Sequence, residues 1–321
     1  MTNLMIYKGK SSDRKLRSFP DPKEDLFTPT PRHARVLYER LKKNPEFWDK
    51  DLVIWKTHGD ERQFLGNQLV GVLDEFKVGD PSLAIKRWDL IKYRYLDYEG
   101  FWRIDKRTQP KSNSFFTGDM FLGLLVMMEL DRTNNQERYK APERYKDKKH
   151  VYLMFWRDDH SWLKRKREPT RLWYERVDDI HFKRGAPVGE GFNLTDQLLG
   201  GLIEYFLGDQ SLAKSWYADL KQRFWDDEKK VWYPIDERGE VDRTRPPVIE
   251  EQLWGVLAEI YLGDRYFASE IYLFLKREWW DDKAMMWKHT LSSEEYWTRD
   301  QLVGILVEGV VIDGLELDAG V

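Results

Sequence analysis

The chain has 321 residues, 53 Lys and Arg against 56 Asp and Glu for a formal net charge of -3, and a 15% aromatic share that includes 15 Trp. That balance excludes a nucleic-acid-coating surface and a disordered chain, and the absence of Cys excludes disulfides, cysteine zinc sites and thiol nucleophiles. No apolar run reaches the roughly 18 residues of a membrane span, and MTNLMIYKGKSSDRK lacks the apolar core of a signal peptide, so a soluble chain is expected, cytoplasmic by default, with neither membrane nor nucleic acid as a partner.

Residues 1–28 are polar, carry Lys8, Lys10, Arg14, Lys15 and Arg17, and include Pro20 and Pro22. They read as an extended basic arm that packs on the body or on a partner protein. From residue 29 to 321 one domain is expected. Pro31 stands where a first helical turn begins, and RHARVLYERLKK has apolar residues at helical spacing. FWDKDLVIW at 47–55 then matches WWDDKAMMW at 279–287, so this first helix is the second half of a hairpin whose first half is missing.

The repeat itself is clearest at TDQLLGGLIEYFLGD from Thr195, which leads through QSLAKSWYADLKQRFWDDEKKVWY to Tyr233. EEQLWGVLAEIYLGD from Glu250 and NQLVGVLDEFKVGD from Asn67 repeat it, and GDMFLGLLV and RDQLVGILV, at Asp119 and Asp300, match its first helix. Each opening residue stands 12 positions before a turn glycine in three copies: Asn67 to Gly79, Asp196 to Gly208 and Glu251 to Gly263. A period of about 50 residues in helix pairs means a solenoid or a closed ring of hairpins. The last apolar helix, from Trp297 to about Ile312, is a first half with no second half after it. Pairing it with the N-terminal helix closes a ring, so the predicted fold is all-α, an α/α toroid of five to six hairpins.

Local chemistry supports that reading. Gly79, Gly208 and Gly263 are placed for a positive-φ helix end, and Asp80, Asp209 and Asp264 for the next N-cap. Gly71, Gly123, Gly200, Gly255 and Gly304 each sit mid-helix, at a cost of about 1 kcal/mol against Ala, which implies crowding around a common axis. Trp48 and Trp55, Trp225 and Trp232, and Trp280 and Trp287 are each seven apart and read as a structural seam. The interval between openings is 52, 55 and 49 residues but 77 from Asp119 to Asp196, which marks a basic insertion at 131–191 with 16 Lys or Arg against 11 Asp or Glu. Such an insertion makes a lid, a rim, a contact surface or a sixth, degenerate hairpin.

Asp119, Asp196, Glu251 and Asp300 open the inner helices, so a ring gathers their carboxyls at one mouth, where paired acids act as general acid and base on a sugar. An acid in a first turn is also simply a helix-dipole partner. Trp254, Tyr296 and Trp297 lie beside these acids and outside the seam, as aromatic faces for stacking on pyranose rings. Glu190 sits in the glycine-bearing loop RGAPVGEGFN ahead of an inner helix, and His181 follows Asp178 and Asp179, echoing Asp158, Asp159 and His160. These acid and His groups are a weak metal signal, and no metal site or other cofactor is assigned. His58 and His289 follow the seam at corresponding positions and read as repeat structure.

An outer helix ending in Trp-Asp, a short turn to an aromatic and a Thr-Arg-Asp-Gln inner helix resemble the α/α-toroid glycan-processing enzymes of six-hairpin glycosidase type. The nearest likeness is to the unsaturated uronyl hydrolases, where a Trp-x-Arg segment opens one inner helix and an Asp-x-x-Phe/Met segment another. WTRDQLVG at 297–304 is similar to the former and GDMFLG at 118–123 to the latter. The resemblance implies a catalytic acid/base at Asp119 and a sugar-binding wall at Trp297 and Arg299. It departs in hairpin number, in the missing small-residue segment after the Asp, and in lacking the Asn, His, Tyr and Arg set of polysaccharide lyases. The expectation is therefore a carbohydrate-active protein that hydrolyses or eliminates a glycosidic bond of an acidic glycan, with the basic insertion and Arg299 on the substrate's acid groups. The alternative is a non-catalytic toroid that binds glycan or serves assembly.

Overall fold

A computed structural model describes residues 31–56, 65–95, 102, 114–134, 172–173, 176–178, 189–207 and 209–318. The N-terminal arm, most of the insertion, Gly208, and His58, Asp158, Asp159, His160 and His181 lie outside the described residues. The helices are α1 (Pro31–Lys43), α2 (Leu65–Lys77), α3 (Pro81–Tyr95), α4 (Thr117–Asn134), α5 (Leu194–Leu207), α6 (Gln210–Phe224), α7 (Ile249–Leu262), α8 (Arg265–Trp279) and α9 (Thr298–Asp318). Among the described residues, none is long and apolar enough to cross a membrane.

Helices α2, α4, α5, α7 and α9 pack in succession, and α9 packs back on α2, so the inner ring is closed. Outside it, α3 lies on α2, α6 on α5, α8 on α7, and α1 on α9. The chain is thus an α/α toroid in which the N-terminal outer helix completes the hairpin of the last inner one. Burial follows position. Inner helix α7 buries nearly every side chain, whereas outer helix α8 buries Ala268, Ile271, Tyr272, Leu275, Lys276 and Trp279, one stripe at three- and four-residue spacing.

Each Trp-Asp step begins a β-hairpin, β1–β2 (Trp48–Asp49, Ile54–Trp55), β6–β7 (Trp225–Asp226, Val231–Trp232) or β8–β9 (Trp280–Asp281, Met286–Trp287), with the seam tryptophans as direct cross-strand partners. The Asp makes the turn: Asp49 accepts from Leu52 N at 2.9 Å, Asp226 from Lys229 N at 3.0 Å and Asp281 from Ala284 N at 3.0 Å. Val53, Lys230 and Met285 close these turns at φ 57, 56 and 52.

The second tryptophan of each pair is clasped by the next inner helix. Gln68, Gln197, Gln252 and Gln301 each accept from the backbone N–H of a tryptophan, Trp55, Trp173, Trp232 and Trp287 respectively, and donate to the carbonyl of the same residue. At Trp102 the sulfur of Met120 takes the acceptor role at 3.4 Å. One turn along from each clasp stands a mid-helix glycine, and a Cβ there would lie 1.9 Å from Trp55 Nε1 at Gly71, 2.1 Å from Trp102 Nε1 at Gly123 and 2.4 Å from Trp173 Nε1 at Gly200. Gly255 meets Trp232 and Gly304 meets Trp287 at 2.2 Å in the same way. The crowding expected around the axis therefore comes from the seam indoles.

The turn glycines also need a correction. Gly263 has φ -118, and Gly79 is not in the left-handed region either. Their requirement is room for a carboxylate: a Cβ would fall 2.1 Å from Glu75 Oε2 at Gly79 and 2.3 Å from Glu259 Oε1 at Gly263. Those oxygens accept the backbone N–H of Asp80 and Asp264, each at 3.0 Å, and Glu204 accepts that of Asp209 at 2.8 Å. The N-cap role of the aspartates is as expected, with Asp209 and Asp264 each accepting from two backbone N–H groups of the first turn.

The same glutamates tie neighbouring hairpins together. Glu259 accepts from Tyr217 and Lys221 of α6, Glu308 from Tyr272 and Lys276 of α8, and Glu75 from Lys42 of α1. Burial works against the Glu308 carboxylate, yet Lys276 and His33 draw its pKa down to about 2. His33 Nδ1 of α1 lies 3.2 Å from Glu308 Oε2. Among the described hairpins it stands where the turn amide stands at Glu75, Glu204 and Glu259, between helices that no turn connects.

Two adjacent glycines of α5 separate these effects. Gly200→Ala drives a methyl into the rigid Trp173 indole and is expected to cost about 1–3 kcal/mol of unfolding free energy. Gly201→Ala meets the flexible end of Leu262, with Cδ1 at 3.1 Å, and the Trp216 ring at an ordinary 3.6 Å, and is expected to be neutral or to stabilise by up to about 1 kcal/mol. Urea unfolding of both variants measures the difference.

Candidate active site

The first turns of the inner helices open at one end of the ring, and a small sheet flanks them. Strand β3 (Ser114–Phe116) runs into α4 and β5 (Gly189–Glu190) precedes α5, with β4 (Arg176–Asp178) between them. Glu190 is the register partner of Arg176 in this sheet.

Arg299, in the first turn of α9, is the centre of the charges. Its Nε lies 2.7 Å from Glu250 Oε1 of α7. Gly66 of α2 gives it room, since a Cβ there would lie 2.5 Å from Arg299 Nη1 and 3.1 Å from Asp119 Oδ1. Asp196 reaches the neighbouring position, its Oδ1 falling 2.5 Å from where a Cβ on Gly118 would be. Burial opposes the guanidinium charge, but Glu250, Asp119, Asp196 and Asp300 outweigh it and raise the Arg299 pKa. The closed ring thus brings four inner helices to one cation.

Three carboxyls here are held toward their neutral forms. Burial pushes Asp119 to about 6 against the pull of Arg299, and it remains partly exposed. Burial, with the like charge of Glu250 beside it, pushes Glu251 to about 8, and its Oε2 is buried with no hydrogen-bond partner. Burial also pushes Asp300 to about 7, against a hydrogen bond from His289. Asp300 is 0% exposed, with Oδ2 2.9 Å from His289 Nδ1 and Oδ1 unpartnered.

The aromatic candidates divide. Trp297 is 42% exposed at the mouth, and one of its faces is covered by the His289 ring at 3.7 Å and 6°. Tyr296 is partly buried and donates to Asp281 Oδ2 at 2.7 Å, which ties it to the seam hairpin. Trp254 is 1% exposed and belongs to the core, so its ring presents no face to a cleft. The sequence reading did not single out Glu250 and took His289 as repeat structure. Glu250 is masked by the stronger repeat position of Glu251, and His289 by its likeness to His58.

No protein-family model and no curated protein matches the sequence. Solved structures do match in shape. An α-amylase from Clostridium perfringens aligns over 86% of this chain and 97% of its own, at 10% identity and a TM-score of 0.55. A sugar epimerase from a ruminal bacterium aligns over 88% and 87%, at 15% identity and a TM-score of 0.53. A GH76 α-mannanase from Bacteroides thetaiotaomicron aligns over 90% and 86%, at 11% identity and a TM-score of 0.51. These likenesses show a shared α/α-toroid fold.

The raised carboxyls make stability depend on pH with a definite sign. Their ordinary values are 3.8 for Asp and 4.5 for Glu, so between there and about 8 the folded chain binds more protons than the unfolded one, and unfolding free energy falls as pH rises. Glu251→Gln, which cannot ionise, is expected to flatten that decline between pH 5 and 8. Urea titrations at the two pH values read it directly.

Proposed function

We propose that this toroid acts on a carbohydrate and hydrolyses a glycosidic bond at the mouth where the inner helices begin. One feature carries the reading: Asp119, partly exposed, stands with Arg299 against Gly66 and is pushed up to about 6 by burial, while Asp196 reaches the adjoining Gly118. A carboxyl kept neutral near working pH protonates the oxygen of a departing sugar, and a second acid stabilises the positive charge that develops on the ring. Trp297 offers its uncovered face for stacking at the rim. The sugar-processing neighbours named above support such a use of the fold.

Charge balance favours a neutral glycan over the acidic one that the sequence suggested. Arg299, the cation that the sequence set on the substrate's acid groups, is already ion-paired to Glu250 and faces Asp119, Asp196 and Asp300, so it is not left over for a uronic acid. The same ion pair favours a second reading, a glycan-binding or assembly module in which the mouth is closed by Arg299 and the acids only cap helices.

Reducing-end release from neutral oligosaccharides and from uronic-acid oligosaccharides separates the readings. Hydrolysis of the neutral set is expected, with kcat/KM falling as pH rises above about 6 as Asp119 loses its proton. Asp119→Asn is expected to lower kcat by about 10²–10⁴-fold without loss of fold. A change in stability alone would favour the binding module.

A further inference from the structure

His289 is held on three sides. Its backbone N–H donates to Glu295 O at 2.9 Å, and its carbonyl accepts from Ile249 N, the first residue of α7, also at 2.9 Å. Its ring lies flat on Trp297, and Trp297 Nε1 is itself fixed to Glu295 Oε2 at 3.0 Å. Its Nδ1 meets Asp300 Oδ2 at 2.9 Å. Among the described residues Nε2 has no hydrogen-bond or ion-pair partner, and the side chain retains 14% exposure beside the most exposed tryptophan of the mouth.

A purely structural imidazole at this position would need only the stack and the backbone contacts. The buried Asp300 is costly to keep there, since its Oδ1 has no partner and its Oδ2 serves only this ring. An acid behind one ring nitrogen is the arrangement that sets a tautomer and aims the other nitrogen.

We propose that His289 is the general base of the mouth and that Asp300 is its positioning residue. The proposal rests on the hydrolytic reading and adds to it the activation of water. The His289 Nε2 lone pair takes a proton from water, and the Nδ1–H donated to Asp300 steadies the imidazolium, whose charge in turn favours the carboxylate form of Asp300 against its burial. The water oxygen forms a bond to the anomeric carbon as the glycosidic C–O bond breaks. The electron pair of that bond stays on the departing oxygen, which takes its proton from Asp119. Return of the His289 proton to solvent and reprotonation of Asp119 complete the addition of one water.

The test is kinetic, on the full chain and with whichever oligosaccharide the wild type cleaves. His289→Ala is expected to lower kcat by about 10²–10⁴-fold with KM little changed, and added imidazole to restore part of the rate. His289→Gln, which keeps a polar group against Trp297, gives the same loss of kcat should the alanine variant not fold. Asp300→Asn is expected to lower kcat while leaving KM, a split that a packing role would not produce. An active wild type whose His289 variants keep kcat, or lose it without any response to imidazole, overturns the proposal. A wild type that cleaves no oligosaccharide overturns the hydrolytic reading and the proposal with it.

Discussion

The structure depends on one repeated contact, an indole laid against a glycine and held there by an amide. Gln252 satisfies both backbone groups of Trp232, and Gly255, one turn along α7, leaves space for the indole of that residue. The amide makes the seam tryptophan's backbone part of the inner helix, so each hairpin is registered on the next before any apolar packing is counted. A helix that gives up alanine for glycine at its centre loses about 1 kcal/mol of propensity, and the burial of a tryptophan more than offsets it. Because the clasp lies near the start of each inner helix, the direction in which the first-turn carboxyls gather follows from it.

A second lock at the other end of the inner helices has different chemistry. There a buried glutamate takes a turn amide on one oxygen and a tyrosine and lysine from the neighbouring outer helix on the other, as at Glu259. A buried charge held by that many donors is tolerable only with all of them in place. His33 on Glu308 shows how strictly this is kept, because it supplies a donor at the junction where the chain has no turn to offer one.

The architecture was legible because it repeats. Openings at Asn67, Asp119, Asp196, Glu251 and Asp300 share a register, and the unpaired first and last helices could only be satisfied by each other. The seam pairs were legible too, since seven residues is the length of a strand-turn-strand with tryptophans facing across it. What each glycine answers to was not, because periodicity shows that a position is crowded and not which side chain crowds it. The candidate site was legible only in its repeat positions. Glu250 and His289 lie off those positions: Glu250 meets Arg299 of the next inner helix, and His289 is placed by a loop that folds back on α7 through Glu295 and Ile249, contacts with no periodic signature.

The closed ring also draws its mouth from distant parts of the sequence. Asp119, Asp196 and Glu250 belong to inner helices laid down early in the chain, whereas the cation they share, Arg299, comes with α9. That helix lies between α7 and α2, and without it Glu250 loses its partner at 2.7 Å. The last inner helix therefore does two things at once: it shuts the circle and carries a positive charge to its rim.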